Sequence, residues 1–413
     1  MLNSNKEWTI SFSGCGFLSI YYLGVYVCLL ERAQDLIERT TKICGASSGA
    51  LIGAMIACQL SPAKCCKNLM ELSKEARKGT LGSMHPSFNL LKLTRKLLVQ
   101  ELPSNAHHMA SGRLCVSLTR VSDGQNVLVS EFASKNDLIQ ALICSCFFPL
   151  YCGVVPPSYH GTRYVDGALS NNLPYFSLRN TITVSIFSGE SDICPYDYPF
   201  YFHEVRHSNV SIQVNFANVQ RVIQAFFPPE AEVMAEFCEN GYKDALTFLK
   251  ENDLLEIDSP RTDLITTHKQ DKSFSHYNVH NQSVVDTDQD RHTQYGSKRR
   301  QNCQLDNHEA GLLPEPIKKV ISEARTKKRR WMAELFVVKL VTSILMLCLL
   351  PVETVYFTLL KFAYWTPEIA SDLRWLWDLT MQMTGLVWRQ LCSKEAVCRP
   401  RCLVLYTCGH GSD

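Results

Sequence analysis

The chain has 413 residues, with 42 lysines and arginines against 40 aspartates and glutamates, so its formal net charge is +2. A chain of this length buries a sizeable core, and the near-neutral charge excludes a strongly basic nucleic-acid-binding class, so we expect no nucleic-acid partner. The 18 cysteines are scattered, without the two-residue spacing of a zinc knuckle, and the N-terminus lacks the form of a secretory signal. We interpret the cysteines as reduced cytosolic thiols and expect no metal and no cofactor.

The first predicted unit is a strand over residues 8–13, followed by the turn Gly14-Cys15-Gly16 and an apolar helix through about Leu30. Backbone N–H groups at such a turn suit a phosphate or a developing oxyanion. Dinucleotide binding would need a third glycine where Ser19 stands and an acidic residue at the end of the next strand, whereas Asp35 precedes that strand. We therefore favour an oxyanion site at this turn.

The second unit, residues 42–53 (KICGASSGALIG), predicts a strand that breaks into a helix around Gly45-Ala46-Ser47-Ser48-Gly49. Such a turn exposes the hydroxyl of Ser47 at the positive end of the helix, where a nucleophile is expected. Side chains at Gly45 or Gly49 would collide with the neighbouring strand or helix. The motif alone also fits a helix capped by serine. Consecutive parallel strands lie side by side, so we expect both glycine turns to face one pocket.

The rest of the N-terminal half and middle of the chain alternates between helix and strand signals. Apolar periodicity predicts helices over residues 51–77, 87–102, 135–146, 210–226 and 229–250. Alternation predicts a hairpin of residues 114–120 and 126–132 around Asp123-Gly124, then a short strand over 163–165, while the β-branched run 181–187 is typical of a buried central strand. The apolar stretch 147–157 is expected to line or cover a pocket.

A serine nucleophile needs a base, and Asp166, directly before Gly167 at the end of the strand 163–165, is one candidate. An Asp-Gly pair is usually only a turn. The histidines that could serve instead all lie in polar, loop-like surroundings: His85, His107, His108, His160, His203 and His207. Burial against apolar walls such as residues 147–155 could raise the pKa of a carboxyl from about 3.9 toward neutrality. The residues therefore allow an unusual dyad of Ser47 and Asp166.

The character of the chain changes after residue 255. Residues 256–330 are polar, with a basic end, and predict a largely disordered linker. Residues 331–390 are rich in Leu, Val, Phe and Trp, but their longest apolar run falls short of the ~20 residues needed to span a bilayer. We expect them to associate with a lipid surface, with a hairpin of helices packed on the catalytic domain as the alternative. Residues 391–413 form a cysteine-containing tail.

The motifs of the Gly14, Ser47 and Asp166 segments, in this order, resemble the patatin-like phospholipase family. Longer stretches sharpen the likeness to its adipose triglyceride lipase and adiponutrin subgroup: SFSGCGFL (11–18), HPSFNL (85–90), SGRLCVSLTRVSDGQNVLVSEF (111–132), RYVDGALSNNLP (163–174) and FSGESDICP (187–195). The likeness covers residues 5–255, with a core at 8–180. It implies a three-layer α/β/α domain with a mainly parallel sheet, a Ser47–Asp166 dyad and an oxyanion hole at Gly14, Cys15 and Gly16.

The resemblance also implies a function: hydrolysis of triacylglycerol and diacylglycerol at the lipid droplet surface, in the cytoplasm and on the associated endoplasmic reticulum membrane, with an α/β-hydrolase-domain coactivator as a partner. The alternatives are an acylglycerol or phospholipid acyltransferase and a weakly active droplet protein that sequesters a lipase coactivator. Four residues depart from the subgroup's pattern, and none removes a catalytic group: Ser19 for glycine, Ser48 for alanine, Ala168 for glycine and Asn171 for an acidic residue.

Overall fold

A computed structural model of the chain describes residues 8–78, 83, 88–175, 181–197, 203–255, 313–332, 372, 374, 377, 378 and 381. The chain divides into two compact units, Met1–Thr354 and Val355–Asp413. All elements below belong to the first unit. In the second, the five described residues are helical, and Trp377 is largely exposed.

The first unit is built on a seven-stranded sheet. Its strands are β1 (Trp8–Phe12), β2 (Thr40–Ala46), β3 (Leu114–Arg120), β4 (Asn126–Val129), β5 (Ser158–Tyr159), β6 (Thr162–Asp166) and β7 (Thr181–Val184). The order is β5-β6-β3-β2-β1-β7, and β4 also pairs with β3. Strands β7, β1, β2 and β3 are parallel, whereas β4, β5 and β6 pair in antiparallel fashion. The predicted α/β fold with a mainly parallel central sheet is confirmed.

Helices and a separate hairpin complete the unit. The helices are α1 (Ile20–Arg32), α2 (Gln34–Glu38), α3 (Ser48–Ala57), α4 (Pro62–Ala76), α5 (Leu90–Glu101), α6 (Ala106–Ala110), α7 (Lys135–Ser145), α8 (Phe216–Phe226), α9 (Ala231–Glu251) and α10 (Glu315–Met332). Strands β8 (Glu204–His207) and β9 (Val210–Gln213) form the hairpin. Apolar side chains of the sheet and of α1, α3, α7 and α9 form one continuous core.

The long helices α1 and α9 approach closely because both have glycine at the crossing. A Cβ atom on Gly24 would lie 1.9 Å from the carbonyl oxygen of Cys238, and one on Gly241 would lie 2.0 Å from that of Tyr21. Backbone-to-backbone contact of this kind excludes any side chain larger than hydrogen at either position. The crossing fixes α9 against α1, the helix that follows the first glycine turn.

Two predicted helices differ from the structure. Residues 51–77 do not form one helix: the chain breaks after α3, where Gln59 has a φ of 53°, and restarts at Pro62, which suits a first helical position because its missing N–H would have no partner there. Residues 210–226 begin as strand β9. Helix α8 starts only after Asn215, whose Oδ1 accepts a hydrogen bond from the Asn218 amide at 2.7 Å.

Two further predictions need correction. Strand β7 is buried but ends the strand order that the described residues form, so it is not a central strand. The predicted disordered linker is wrong over residues 315–330, which belong to helix α10. Leu313, Ile317 and Ile321 are buried in the core, and α10 packs against α4 and α9. The remainder of that segment, residues 256–312, lies outside the described residues, as do most of 331–390 and all of 391–413. No described helix is long and apolar enough to cross a membrane.

Candidate active site

The strand pairing brings the three predicted segments to one edge of the sheet. Phe12, at the end of β1, pairs with Gly45 of β2, and Ala46 pairs in turn with Ser117 of β3. Asp166, at the end of β6, pairs with Leu118. The first glycine turn and the serine turn therefore follow the carboxyl ends of neighbouring parallel strands, where ligand sites of such sheets lie. Strand β6 runs antiparallel to β3 and brings Asp166 alongside them.

Ser47 occupies a sharp, strained turn between β2 and α3. Its φ of 54° and ψ of −129° are rare for a residue with a side chain. The turn is possible because Gly45 and Gly49 are in backbone contact with their surroundings. A Cβ on Gly45 would lie 2.4 Å from the carbonyl carbon of Gly49, and one on Gly49 would lie 2.3 Å from the Phe12 carbonyl oxygen. The predicted collisions at both glycines are confirmed.

The amide of Ser47 is fixed by a residue that sequence analysis did not identify. It donates a hydrogen bond to Ser145 Oγ at 2.8 Å, and this hydroxyl donates to the Ser117 carbonyl oxygen at 2.8 Å. The fully buried Ser145 thus ties the serine turn to α7 and to β3. No sequence pattern marks Ser145 as part of a site, because a serine at the end of an apolar helix is common.

Asp166 lies next to Ser47 and is buried, with only 3% of its surface exposed. Burial raises the pKa of its carboxyl to about 6, although hydrogen bonds from the Ser47 side chain and the Ala168 amide work in the opposite direction. The Ala168 amide donates to Oδ1 at 2.9 Å. The backbone is held as well, because the Asp166 amide donates to the Phe147 carbonyl oxygen at 2.8 Å. The raised pKa agrees with the prediction that burial would bring the pKa of this carboxyl closer to neutrality.

None of the histidines that the structure describes forms a hydrogen bond with Ser47. His160 instead pairs with Asp137 at 2.8 Å, and its ring stacks on Tyr159. His203 and His207 are exposed, on or beside the β8–β9 hairpin. His107 and His108 in α6 lie against each other, with ring centroids 4.0 Å apart and planes tilted by 38°, and His85 lies outside the described residues. Asp166 is therefore the described titratable group best placed to take the Ser47 proton.

The Gly14–Gly16 turn lies beside Ser47, but two of its three amides are already engaged. The Gly14 amide donates to Asn172 Oδ1 at 2.7 Å, and the Cys15 amide donates to Ser48 Oγ at 2.9 Å. The Gly16 amide makes no hydrogen bond with any residue that the structure describes. Gly16 has a φ of 55°, and a Cβ there would lie 2.2 Å from the Ala225 carbonyl oxygen of α8. Asn172 is a second residue that sequence analysis missed.

Cys146 is a third residue close to Ser47 and Asp166 that sequence analysis did not identify. Its thiol interacts with the Ser47 side chain. Burial, followed by the nearby Asp166 carboxylate, raises the pKa of this thiol well above 9, so it stays protonated at neutral pH and is no rival nucleophile. Among the described residues, no group of three or more His, Cys, Asp and Glu side chains could hold a metal ion.

The residues that depart from the subgroup's pattern have distinct positions. Ala168 acts on Asp166 through its backbone amide, so its methyl group does not alter that contact. Asn171 Oδ1 accepts from Asn209 Nδ2 at 2.9 Å, while its carbonyl oxygen accepts from Ser117 Oγ at 2.8 Å. Gly167, which lies between Asp166 and Ala168 and is not one of the departures, leaves no room for a side chain, since a Cβ would lie 2.1 Å from the Ser117 carbonyl oxygen. Ser19 is buried at the start of α1.

Comparison with known proteins identifies relatives along most of the chain. The patatin-like phospholipase model matches residues 10–179. The patatin-like phospholipase domain-containing protein 2 of Homo sapiens is 42% identical over 383 residues, which cover 92% of this chain and 73% of that protein. A 1-acylglycerol-3-phosphate O-acyltransferase of Mus musculus is 37% identical over 387 residues, covering 93% and 90%. Patatin-like phospholipase domain-containing protein 5 of Mus musculus is 35% identical over 403 residues, covering 93% and 88%.

These alignments confirm the resemblance that the glycine turns and the Asp-Gly motif indicate. The family model spans both Ser47 and Asp166, and the relatives align over nine-tenths of this chain and most of their own length. The chain therefore belongs to the patatin-like phospholipase family.

Proposed function

We propose that this protein is a serine–aspartate lipid acyl hydrolase whose main substrates are long-chain acylglycerols, above all triacylglycerol. Family membership supports a lipid hydrolase or acyltransferase. The observation that carries the assignment of residues is the hydrogen bond between Ser47 and Asp166, together with burial that brings the pKa of Asp166 to about 6. A base with this pKa is largely ionised at neutral pH and still basic enough to accept a proton from the nucleophile.

In the proposed reaction, Ser47 Oγ forms a bond to the acyl carbon while its proton passes to the Asp166 carboxylate. The tetrahedral intermediate collapses when the ester C–O bond breaks, and the proton on Asp166 passes to the leaving alcohol. Water then attacks the acyl-enzyme and gives its proton to Asp166. The second collapse releases the fatty acid and returns the proton to Ser47, so the dyad ends in its starting state.

Negative charge on the intermediate needs donors beside Ser47. The Gly16 amide is the one amide of the predicted oxyanion turn that has no hydrogen-bond partner among the described residues. The N-terminus of α3, directly after Ser47, adds a favourable field. Loss of one oxyanion donor typically lowers the rate about a hundred- to a thousandfold. The number of amides in this turn that can donate to the oxyanion therefore strongly affects activity.

An exposed apolar surface on α8, the helix that contacts the Gly14–Gly16 turn, supports a lipid interface as the place of action. Helix α8 exposes a face that we call the α8 face, formed by Phe216, Val219 and Ile223, with exposures of 81%, 53% and 56%. Their spacing of three and four residues sets them on one side of the helix. The same helix contacts Gly16 through the Ala225 carbonyl oxygen. An apolar surface of this kind marks an interaction site, and for an enzyme that acts on lipid we take its partner to be lipid.

The loop between α7 and β5 extends this surface. Leu150 and Val154 are 83% and 66% exposed. The loop is attached to α8, since the Phe148 and Tyr151 rings each lie 5.2 Å from the Phe226 ring. The loop also holds the Asp166 backbone through Phe147. We place the protein at a lipid droplet or endoplasmic reticulum surface facing the cytoplasm, with the α8 face and this loop directed toward the lipid.

An acyltransferase is the second candidate, favoured by the relative from Mus musculus that is named as an acyltransferase. The same dyad would form the same acyl-enzyme, but a lipid hydroxyl in place of water would accept the acyl chain. The two activities differ only in the second half of the reaction. They are separated by supplying an acyl donor with and without a competing lipid alcohol and quantifying free fatty acid against the new ester.

The assignment is tested with emulsified triolein and purified full-length protein. We expect fatty-acid release by the native chain and its loss in both Ser47→Ala and Asp166→Asn, together with fluorophosphonate labelling that requires Ser47. His160→Ala is a suitable control, because His160 pairs with Asp137 away from the dyad and should leave the rate unchanged. Hydrolysis that survives either dyad substitution would refute the proposed roles.

A further inference from the structure

A chain of buried polar groups lies behind the oxyanion turn. Ser13, Cys15, Tyr22 and Ser48 each have no more than 6% of their surface exposed. Ser13 Oγ and the Tyr22 hydroxyl are 2.7 Å apart, and Cys15 Sγ lies 3.4 Å from Ser48 Oγ. Tyr22 and Cys15 also interact through their side chains. The polar groups face the protein interior, so water does not compete for their hydrogen bonds.

Ser48 takes two partners from the oxyanion turn. Its Oγ accepts the Cys15 amide at 2.9 Å and contacts the Cys15 thiol. A buried amide needs an acceptor, and in this arrangement the acceptor is a side chain of the protein. The Cys15 N–H therefore points at Ser48 and is withheld from a substrate oxygen held at Ser47.

We propose that Ser48 is a positioning residue that restrains acyl transfer by holding the Cys15 amide away from the oxyanion. This inference rests on the proposed function, since it concerns the charge that develops when Ser47 attacks an ester. An alanine at this position would leave the amide without its acceptor in the resting enzyme. The developing oxyanion would then be the strongest acceptor available to it, and the donor would act in the transition state only.

The test compares native protein with Ser48→Ala and Ser48→Gly on a soluble p-nitrophenyl ester. Both substitutions remove the hydroxyl, so the inference survives if one of them fails to fold. We expect kcat to rise about tenfold or more, with little change in KM, because restoring one donor is worth up to about a hundred- to a thousandfold. Ser73→Ala is the matched control. It removes another fully buried hydroxyl, one in α4 that has no hydrogen-bond partner among the described residues, and should leave kcat unchanged.

A second measurement separates the oxyanion effect from a general structural one. A thionoester carries sulfur in place of the carbonyl oxygen, and sulfur is a weak hydrogen-bond acceptor. Ser48→Ala should therefore raise the rate on the oxygen ester by a larger factor than the rate on the matching thionoester. A change that only repacked the turn would alter both rates equally.

The outcomes distinguish this inference from the proposed function. If native protein hydrolyses the ester and Ser48→Ala is equally fast or slower, the restraint by Ser48 is refuted while the dyad stands. An equal rise on the ester and the thionoester would also refute it. If neither native protein nor the variants hydrolyse any ester or react with a fluorophosphonate at Ser47, the proposed function fails and this inference falls with it.

Discussion

Asp166 is buried against Ser47 and shares a hydrogen bond with it, at a position where burial raises the pKa of the carboxyl to about 6. The same burial has two effects. Burial makes the carboxylate a stronger base, and it destabilises the ionised form inside the folded protein. Activity and stability should therefore depend on pH in opposite directions.

The pH dependence of the reaction follows from the base. Asp166 must be deprotonated to accept the Ser47 proton, so kcat/KM should rise about tenfold per pH unit below 6 and level off above about pH 7. The profile is best measured with a soluble ester, whose own ionisation does not change in this range. A rate that stays constant from pH 4.5 to 7 would contradict Asp166 as the base.

The pH dependence of stability has the opposite sign. The folded-state pKa of Asp166 is about 6, above the ordinary value of 3.8, so its stabilising contribution is complete below about pH 3.8 and is lost as the pH rises through 6. At pH 8 the ionised carboxyl costs about 3 kcal/mol by this argument, and an amide avoids that cost. We expect Asp166→Asn to raise the free energy of unfolding by about 1–3 kcal/mol at pH 8 and to have little effect near pH 4.

Denaturant unfolding of native protein and Asp166→Asn at several pH values measures this difference. Asp137 provides a contrast, because its pKa is lowered: burial works to raise it, but hydrogen bonds from the Ala133 amide and His160 prevail. Its stabilisation is present above the ordinary pKa and is lost as the pH falls, so Asp137→Asn should destabilise the protein at pH 8. Equal effects of the two substitutions at pH 8 would show that burial does not govern Asp166.

The backbone at Ser47 stores strain that a glycine would release. Its φ of 54° costs a residue with a side chain about 1–3 kcal/mol, whereas glycine adopts it freely. Ser47→Gly and Ser47→Ala should both be inactive, but the glycine variant should be the more stable by about 1 kcal/mol after the entropy that glycine gains on unfolding. Thermal unfolding compares them directly. A more stable alanine variant would mean that the turn is not strained.

The α8 face predicts how the protein binds lipid. Phe216→Ser combined with Ile223→Ser should weaken association with phospholipid-coated triolein particles about tenfold or more, since each buried apolar side chain is worth about 1.5–3 kcal/mol. Val99→Ser is the control, because Val99 is about as exposed as Ile223, at 50% against 56%, but lies on α5. Activity on a soluble ester should be unchanged in all variants. Undiminished flotation of the double variant would exclude the α8 face as a lipid contact.

Local patterns were sufficient for strands β1, β2 and β3 and for the turn around Ser47. The strand and helix on either side of Gly45 and Gly49 are visible in the sequence, because a tight turn in backbone contact admits only glycine. Local patterns failed where distant contacts decide. Val210–Gln213 forms a strand because it pairs with β8, and Glu315–Met332 is a helix that packs its few apolar residues on α4 and α9.

By itself, the sequence determined the fold class and the family and predicted the Ser47–Asp166 dyad, because these depend on residue types at short, characteristic spacings. Only the tertiary structure decided which hydrogen bonds form at the site and how far burial shifts the pKa of Asp166. Ser145 and Asn172 reach it from segments far along the chain, and the Cys15 amide is paired with Ser48 across the junction of two strand ends. A pKa near 6 is likewise a property of the assembled core, since it arises from burial, which no stretch of sequence possesses alone.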